Sequence, residues 1–191
     1  MSETAIDELL EKWDEEHVLT KEEALEVLNL PDDKLDKLIE TAYALRLKYK
    51  GKKVSIQLLT NVRSGNCSQN CAYCAQSCES HAAIEKYKRV SDEKLYGDND
   101  LVDEKHLARH CIGLSGISFT DAEIEDLADR IRKMKKNDTQ ICCSIGFLTE
   151  KQARMLKDAG LNRINHNLNS SRSYYPNICT CLLYTSDAAD E

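Results

Sequence analysis

The sequence predicts an α/β fold: about four βα units forming the N-terminal half of a TIM-type (β/α) barrel, preceded by an α-helical N-terminal extension. Three observations carry this. Short apolar runs beginning near residues 54, 111, 141 and 161 alternate with amphipathic helical segments, the pattern of a parallel sheet. Two capping boxes, Thr120-Asp121-Ala122-Glu123 and Thr149-Glu150-Lys151-Gln152, mark where two of those helices begin. Each unusual residue set follows a strand: a cysteine loop, Leu114-Ser115-Gly116, Ile145-Gly146, and Asn165-His166-Asn167. Parallel sheets gather their active groups at the carboxyl ends of their strands.

Residues 4–29 read as helix, with Leu9, Leu10 and Trp13 on one face and a third capping box, Thr20-Lys21-Glu22-Glu23, before Ala24 and Leu25. Pro31 stands at a first helical position, and Leu35, Leu38, Ile39, Ala42 and Leu45 give the next stripe. Gly51 ends that region, and Val54 to Thr60 reads as a strand entering the cysteine loop. Glu85 to Asp100 is charged and without clear period, Gly97-Asp98-Asn99-Asp100 reads as a turn, and Val102 to Arg109 as a short helix. Then come the strand Cys111-Ile112-Gly113-Leu114, a helix to about Lys135 with Ile124, Leu127 and Ile131 inward, and the strand Ile141 to Ile145. A further helix stops at Gly160, and Leu161 to Asn165 is the last strand.

The expected organisation is 1–50 helical extension, 51–180 partial barrel and 181–191 a non-native tail. Cys181-Leu182-Leu183-Tyr184-Thr185-Ser186-Asp187-Ala188-Ala189-Asp190-Glu191 continues no periodicity and looks like the translation of a transposon-end sequencing adapter, so it is set aside from fold reasoning. Four strands cannot close a barrel that needs roughly 250 residues. The 191-residue chain alone is therefore expected to be inactive.

A net charge of −7, with 31% charged and 41% hydrophobic residues, suits a soluble globular protein and argues against a nucleic-acid surface. No apolar run approaches the ~20 residues of a membrane helix, and the start lacks an export signal, so a cytoplasmic location is expected. Nine cysteines in such a chain point to metal chemistry and not to disulfides.

The cysteine loop is Cys67-Ser68-Gln69-Asn70-Cys71-Ala72-Tyr73-Cys74, bounded by Gly65 and Asn66. Three thiols at i, i+4 and i+7 can turn towards one point and hold an iron–sulfur cluster or a soft metal. A [4Fe–4S] cube needs four ligands, so three cysteines leave one iron open to a small molecule. The competing reading is a structural zinc site that recruits Cys78 through Cys71-x2-Cys74-x3-Cys78.

The Cys-x3-Cys-x2-Cys spacing with Tyr73 before the third cysteine resembles the signature of radical S-adenosylmethionine enzymes. From about Asn61 to Thr180 the motifs together resemble the biotin synthase family. The resemblance lies in Asn61 to Cys67, Cys74-Ala75-Gln76-Ser77, Arg109-His110-Cys111-Ile112-Gly113, Cys142-Cys143-Ser144-Ile145-Gly146 and Asn165-His166-Asn167-Leu168-Asn169-Ser170-Ser171. It implies that Cys67, Cys71 and Cys74 bind a [4Fe–4S] cluster whose open iron takes S-adenosyl-L-methionine. Tyr73, Ser115, Gly116 and Asn169 would be cofactor-binding, although the family commonly carries an acid at the position of Asn169. Cys111 and Cys142 would bind an auxiliary iron–sulfur cluster, of the [2Fe–2S] type, that supplies sulfur.

The implied reaction converts dethiobiotin to biotin by 5′-deoxyadenosyl-radical hydrogen abstraction and sulfur insertion, which makes the enzyme a radical SAM sulfurtransferase. Asn165 and Asn167, two apart on one strand, would face the same way and hydrogen-bond the substrate's ureido ring. The resemblance also implies a flavodoxin or ferredoxin electron donor and a full-length homodimer, with no nucleic-acid or membrane partner. Adjacent Cys142 and Cys143 should point to opposite faces of their strand, so only one can look into the barrel. Cys78 has no assigned role, Cys179 reads as a loop thiol, and His166 is expected to face outward. Two alternatives stay open: a sibling enzyme of the methylornithine synthase or hydrogenase-maturation type, and a non-catalytic cysteine-rich metal-binding module.

Overall fold

The computed structural model describes residues 19–135, 138–167 and 169–179, which fall into two compact units divided between Val54 and Ser55. The helix expected over residues 4–18 and the tail 181–191 lie outside the described residues.

The first unit holds α1 (Lys21–Leu28) and α2 (Leu35–Lys50), joined by the 3-10 turn Asp32–Lys34. Thr20 caps α1 as its box predicts: its hydroxyl accepts from the Glu23 amide at 3.2 Å, and Glu23 Oε2 accepts from the Thr20 amide at 2.8 Å. Pro31 caps the 3-10 turn instead of opening a helix, because its extended backbone suits the residue before a turn. Gly51, at φ 59, ends α2, and Arg46 donates to the Gly51 and Lys53 carbonyls at 3.0 and 3.2 Å.

The second unit is a four-stranded parallel sheet in the order β1-β2-β3-β4. Its elements are β1 (Gln57–Arg63), α3 (Asp92–Glu104), β2 (Arg109–Leu114), α4 (Asp121–Met134), β3 (Ile141–Ser144), α5 (Glu150–Asp158), β4 (Arg163–Asn165) and the short α6 (Tyr175–Ile178). The α/β half-barrel order expected from the sequence is the order observed. Three local readings change. The first strand lies three residues later than its β-branched start implied, because pairing from Gln57↔Arg109 to Arg63↔Leu114 fixes it. Gly97-Asp98-Asn99-Asp100 lies inside α3, not in a turn. Ser91 caps that helix, and Leu95, Asn99 and Val102 bury one face of it. Val102 to Arg109 is accordingly not a helix of its own: α3 ends at Glu104, and Arg109 opens β2.

Alternation along the strands sorts the residues into two sets. His110, Ile112, Ile141 and Cys143 face the helices and join Leu95, Ile124, Leu127, Ile131 and Leu156 in a fully buried core. Gln57, Leu59 and Asn61 of β1, Arg109, Cys111 and Gly113 of β2, and Cys142 and Ser144 of β3 form the opposite face. Two large polar groups buried on the helix side find partners there, while the Tyr96 hydroxyl has none among the described residues. Asn99 Nδ2 donates to the Met134 carbonyl at 3.1 Å, which leaves its oxygen for His110 Nδ1 at 3.2 Å. Arg130, 2% exposed, donates to the Val90 carbonyl at 2.9 Å and reaches Asp92 at 3.1 Å.

The cap of α4 is reciprocal: the Thr120 hydroxyl accepts from the Glu123 amide, and Glu123 accepts from the Thr120 amide at 2.8 Å. Thr120→Ala is expected to cost about 1 kcal/mol. A urea titration that gives an unchanged midpoint would show that the cap is idle.

Candidate functional site

The site is built where the strands end. β1 runs into Ser64 and Gly65, and two successive left-handed residues, Gly65 (φ 72) and Asn66 (φ 54), turn the chain away from the sheet. A side chain at position 65 would meet Lys86 Cγ at 2.6 Å, so glycine is required by space as well as by φ. Gln76 locks the turn from the far end of the loop, its side-chain oxygen accepting from the Gly65 amide. Cys67 and the Gln76–Cys78 segment close the loop on itself: the Cys67 amide donates to the Gln76 carbonyl at 3.0 Å, and the Cys78 amide to the Cys67 carbonyl at 2.8 Å. Cys71 and Cys74 share a turn, the Cys74 amide donating to the Cys71 carbonyl at 2.9 Å.

The loop so formed holds Cys67, Cys71 and Cys74 half-buried and near one another, all three as free thiols. Burial, the Cys179 thiol, and then Cys74 and Cys67 push the Cys71 thiol up to about 12. Cys71 therefore stays protonated at physiological pH unless a cation stabilises its thiolate. Among the described residues no three His, Cys, Asp or Glu side chains converge closely enough to hold one metal ion, Cys67–Cys71–Cys74 and Cys71–Cys74–Cys78 alike. A cubane binds its cysteines at separate corners, so its thiolates stand further apart than the ligands of a single tetrahedral ion. The donor set, three soft thiols on one short loop with room beside them, fits the cluster. A 410 Å³ hollow opens beside Cys71, Tyr73 and Cys74.

The residues read as cofactor-binding divide into two groups. Ser115 and Gly116 form the turn after β2. The Ser115 hydroxyl donates to the Gly65 carbonyl at 2.7 Å and its amide to the Arg63 carbonyl at 3.1 Å. That turn therefore grips the base of the cysteine loop. Tyr73 and Asn169 meet each other directly, the Tyr73 hydroxyl donating to the Asn169 side-chain oxygen. Asn169 sits at φ 62, and its Nδ2 donates to the Tyr175 hydroxyl at 3.2 Å. Burial and then the Cys71 thiol push Tyr73 up to about 12, so it is a neutral donor at physiological pH.

Cys111 and Cys142 are register partners on β2 and β3, side by side on one face of the sheet. Cys111 also donates to Gln57 Oε1 at 3.1 Å. Burial and the Cys142 thiol raise the Cys111 pKa, and Arg109, two residues away on the same face, lowers it. Cys143 points the other way into the core, fully buried, and desolvation raises its pKa strongly. A pair of soft thiols beside a cation on the face opposite the helices is a donor set suited to a second iron–sulfur group. Asn165, in register with Ser144, ends β4, and both it and Asn167 are exposed. The His166 ring lies 5.3 Å from that of Phe147.

Sequence reasoning passed over four residues that the structure brings to the site. Gln57 and Gln76 act through side-chain amides that no spacing rule singles out. Tyr175 and Cys179, far along the chain, pack against Tyr73 and Cys71. Cys179, read as a loop thiol, does lie in the chain just past α6, and it is fully buried there.

Comparison with known proteins agrees with this arrangement. The family model described as the Radical SAM superfamily matches residues 61–180. The chain is 38% identical over 169 residues to the biotin synthase of Geobacillus kaustophilus, and 39% identical over 168 residues to that of Bacillus cytotoxicus. These alignments cover 88% and 87% of the chain, but the chain spans only about half the length of those relatives, 51% and 50%. Among solved structures it resembles HydG, a maturase of the [FeFe]-hydrogenase (TM-score 0.69, 20% identity, 92% of this chain and 39% of that one). It also resembles methylornithine synthase (TM-score 0.66, 18% identity, 83% of this chain and 45% of that one). At such identities these two likenesses describe the fold alone.

Proposed function

The chain belongs to the radical SAM superfamily, and from that premise we propose that it is the N-terminal part of a biotin synthase-type enzyme that converts dethiobiotin to biotin in the cytoplasm. The observation that supports this reading best is the register pair Cys111↔Cys142 beside the three-cysteine loop. A sulfur-inserting enzyme needs a second sulfur-bearing centre, and a mutase does not. The curated relatives in hand are biotin synthases by name.

In this reading Cys67, Cys71 and Cys74 hold a [4Fe–4S] cluster, and Cys111 and Cys142 hold part of an auxiliary [2Fe–2S] cluster. When bound, the clusters and S-adenosylmethionine supply radical hydrogen abstraction and sulfur, with electrons from a flavodoxin- or ferredoxin-like donor. The chain's own residues bind, orient and exclude. Gln76 and Ser115 fix the base of the loop through Gly65, which sets where the three thiols project. Tyr73 would offer its ring to the adenine, and Asn169, its amide held by Tyr73 and Tyr175, would stand beside the ribose. The Ser115–Gly116 turn would lie at the methionine end. Asn165 and Asn167 offer donors and an acceptor to the ureido ring of dethiobiotin. Arg109 places positive charge beside Cys111, which favours the thiolate form a metal ligand requires.

A chimera tests the substrate. Residues 1–180 joined to the remaining half of the Geobacillus kaustophilus enzyme should restore growth of a biotin auxotroph, and Cys111→Ala should abolish that growth. A soluble chimera that cleaves S-adenosylmethionine yet never supports growth contradicts the substrate assignment.

A further inference from the structure

Cys179 has no part in the chemistry above, yet it is the most enclosed thiol near the cysteine loop. It is fully buried, and its thiol lies near enough to Cys71 and Tyr175 to add to burial in raising the pKa of each. Asn169 Nδ2 approaches the same sulfur at 4.0 Å. The backbone holds the two segments together as well: the Ala72 amide, next to Cys71, donates to the Ile178 carbonyl, next to Cys179, at 2.9 Å. The Cys179 amide in turn donates to the Tyr175 carbonyl at 2.9 Å, closing α6 under the thiol. Two free thiols are thus brought close together by a hydrogen bond between their neighbours, and one of them is a proposed iron ligand.

We propose that Cys71 and Cys179 close to a disulfide when the loop carries no iron, so that metal and disulfide compete for the Cys71 sulfur. The pairing rests on the closeness of the two segments that the Ala72–Ile178 bond joins. The competition rests in addition on Cys71 being a ligand, as the functional reading holds. The oxidant is a low-molecular-weight disulfide of the glutathione class. Cys71, only half-buried, is the thiol it reaches first. The Cys71 thiolate attacks one sulfur of the reagent, forming a mixed disulfide and releasing one thiol. The Cys179 thiolate then attacks the Cys71 sulfur, and the second reagent thiol leaves. One disulfide is reduced to two thiols, and two protein thiols become one disulfide. The thiolate fraction sets the rate of any such exchange, which therefore gains speed with rising pH. Closing the bond takes one of three ligands from the loop, which then cannot rebuild its cluster until a dithiol reduces it.

The test uses the full 191-residue chain, freed of metal and incubated anaerobically with oxidised glutathione at mildly alkaline pH. Peptide mass mapping should find Cys71 linked to Cys179, while exposed Cys78 carries glutathione. In Cys179→Ala the same treatment should leave Cys71 as the mixed disulfide. Finding Cys71 free, or linked to Cys67 or Cys74, overturns the pairing. A second arm loads the chain with iron and sulfide first. Protection of Cys71 there, and loss of iron uptake after oxidation that dithiothreitol restores, supports the competition. Equal cross-linking with and without iron leaves the pairing standing and overturns Cys71 as a ligand.

Discussion

Replacing Cys67, Cys71 or Cys74 singly by Ser is expected to abolish stable [4Fe–4S] assembly, whereas Cys78→Ser should leave it intact. The three thiols sit on one loop closed by the Cys67–Gln76 and Cys78–Cys67 backbone bonds, so removing one leaves two ligands on a rigid frame, too few for a stable cluster. An alkoxide is a harder and far more basic donor than a thiolate, so serine does not substitute for it on iron. Cys78 is exposed and lies outside that set, and only the closed zinc reading requires it. Iron and sulfide content with the visible absorbance of the four variants measures this. Loss of the chromophore in Cys78→Ser, with retention in Cys67→Ser, would reverse the assignment.

Gly146→Ala should be the most damaging single-methyl change near the site. An added Cβ would clash with the Ile117 carbonyl oxygen and lie 2.5 Å from its carbon and 2.8 Å from the Gly116 oxygen. These atoms are backbone, so no rotamer change relieves the contact. The Phe147 amide also donates to the Ile117 carbonyl at 2.7 Å, which ties the two turns together. The expected destabilisation is about 3 kcal/mol, at the upper end for overpacking. The shift would displace the Ser115–Gly116 turn and, through Ser115, the base of the cysteine loop. Chemical denaturation reads the first effect, and S-adenosylmethionine affinity of the reconstituted chain reads the second. A variant of unchanged midpoint and affinity would show that the two turns move independently.

Much of this architecture was legible from the chain alone, for identifiable reasons. The three boxes at Thr20, Thr120 and Thr149 are local hydrogen-bonding devices, and all three cap helices as written. Period-two alternation was enough to part Cys142 from Cys143, one beside Cys111 and the other in the core. Where local chemistry and tertiary context disagreed, context won. Gly97 to Asp100 carries turn residues, but Asn99 is drawn inward to serve His110 and the Met134 carbonyl, and the helix runs through it. The start of β1 is set by its partner strand, which no propensity within 54–60 encodes. The same holds at the site. Cys67, Cys71 and Cys74 announce themselves by spacing, whereas Cys71 and Cys179 are brought together only by the fold. Gln57 and Gln76 are invisible until their acceptor oxygens have partners.

The central claim is that the cysteine loop holds a cluster with one iron open to S-adenosylmethionine. The direct measurement is electron paramagnetic resonance of the anaerobically reconstituted, dithionite-reduced chain, before and after that cofactor is added. The predicted result is a reduced [4Fe–4S] signal whose g values shift on addition, because the amine and carboxylate have bound the open iron. A chain that takes up zinc instead, or a cluster signal that the cofactor leaves unchanged, would contradict it.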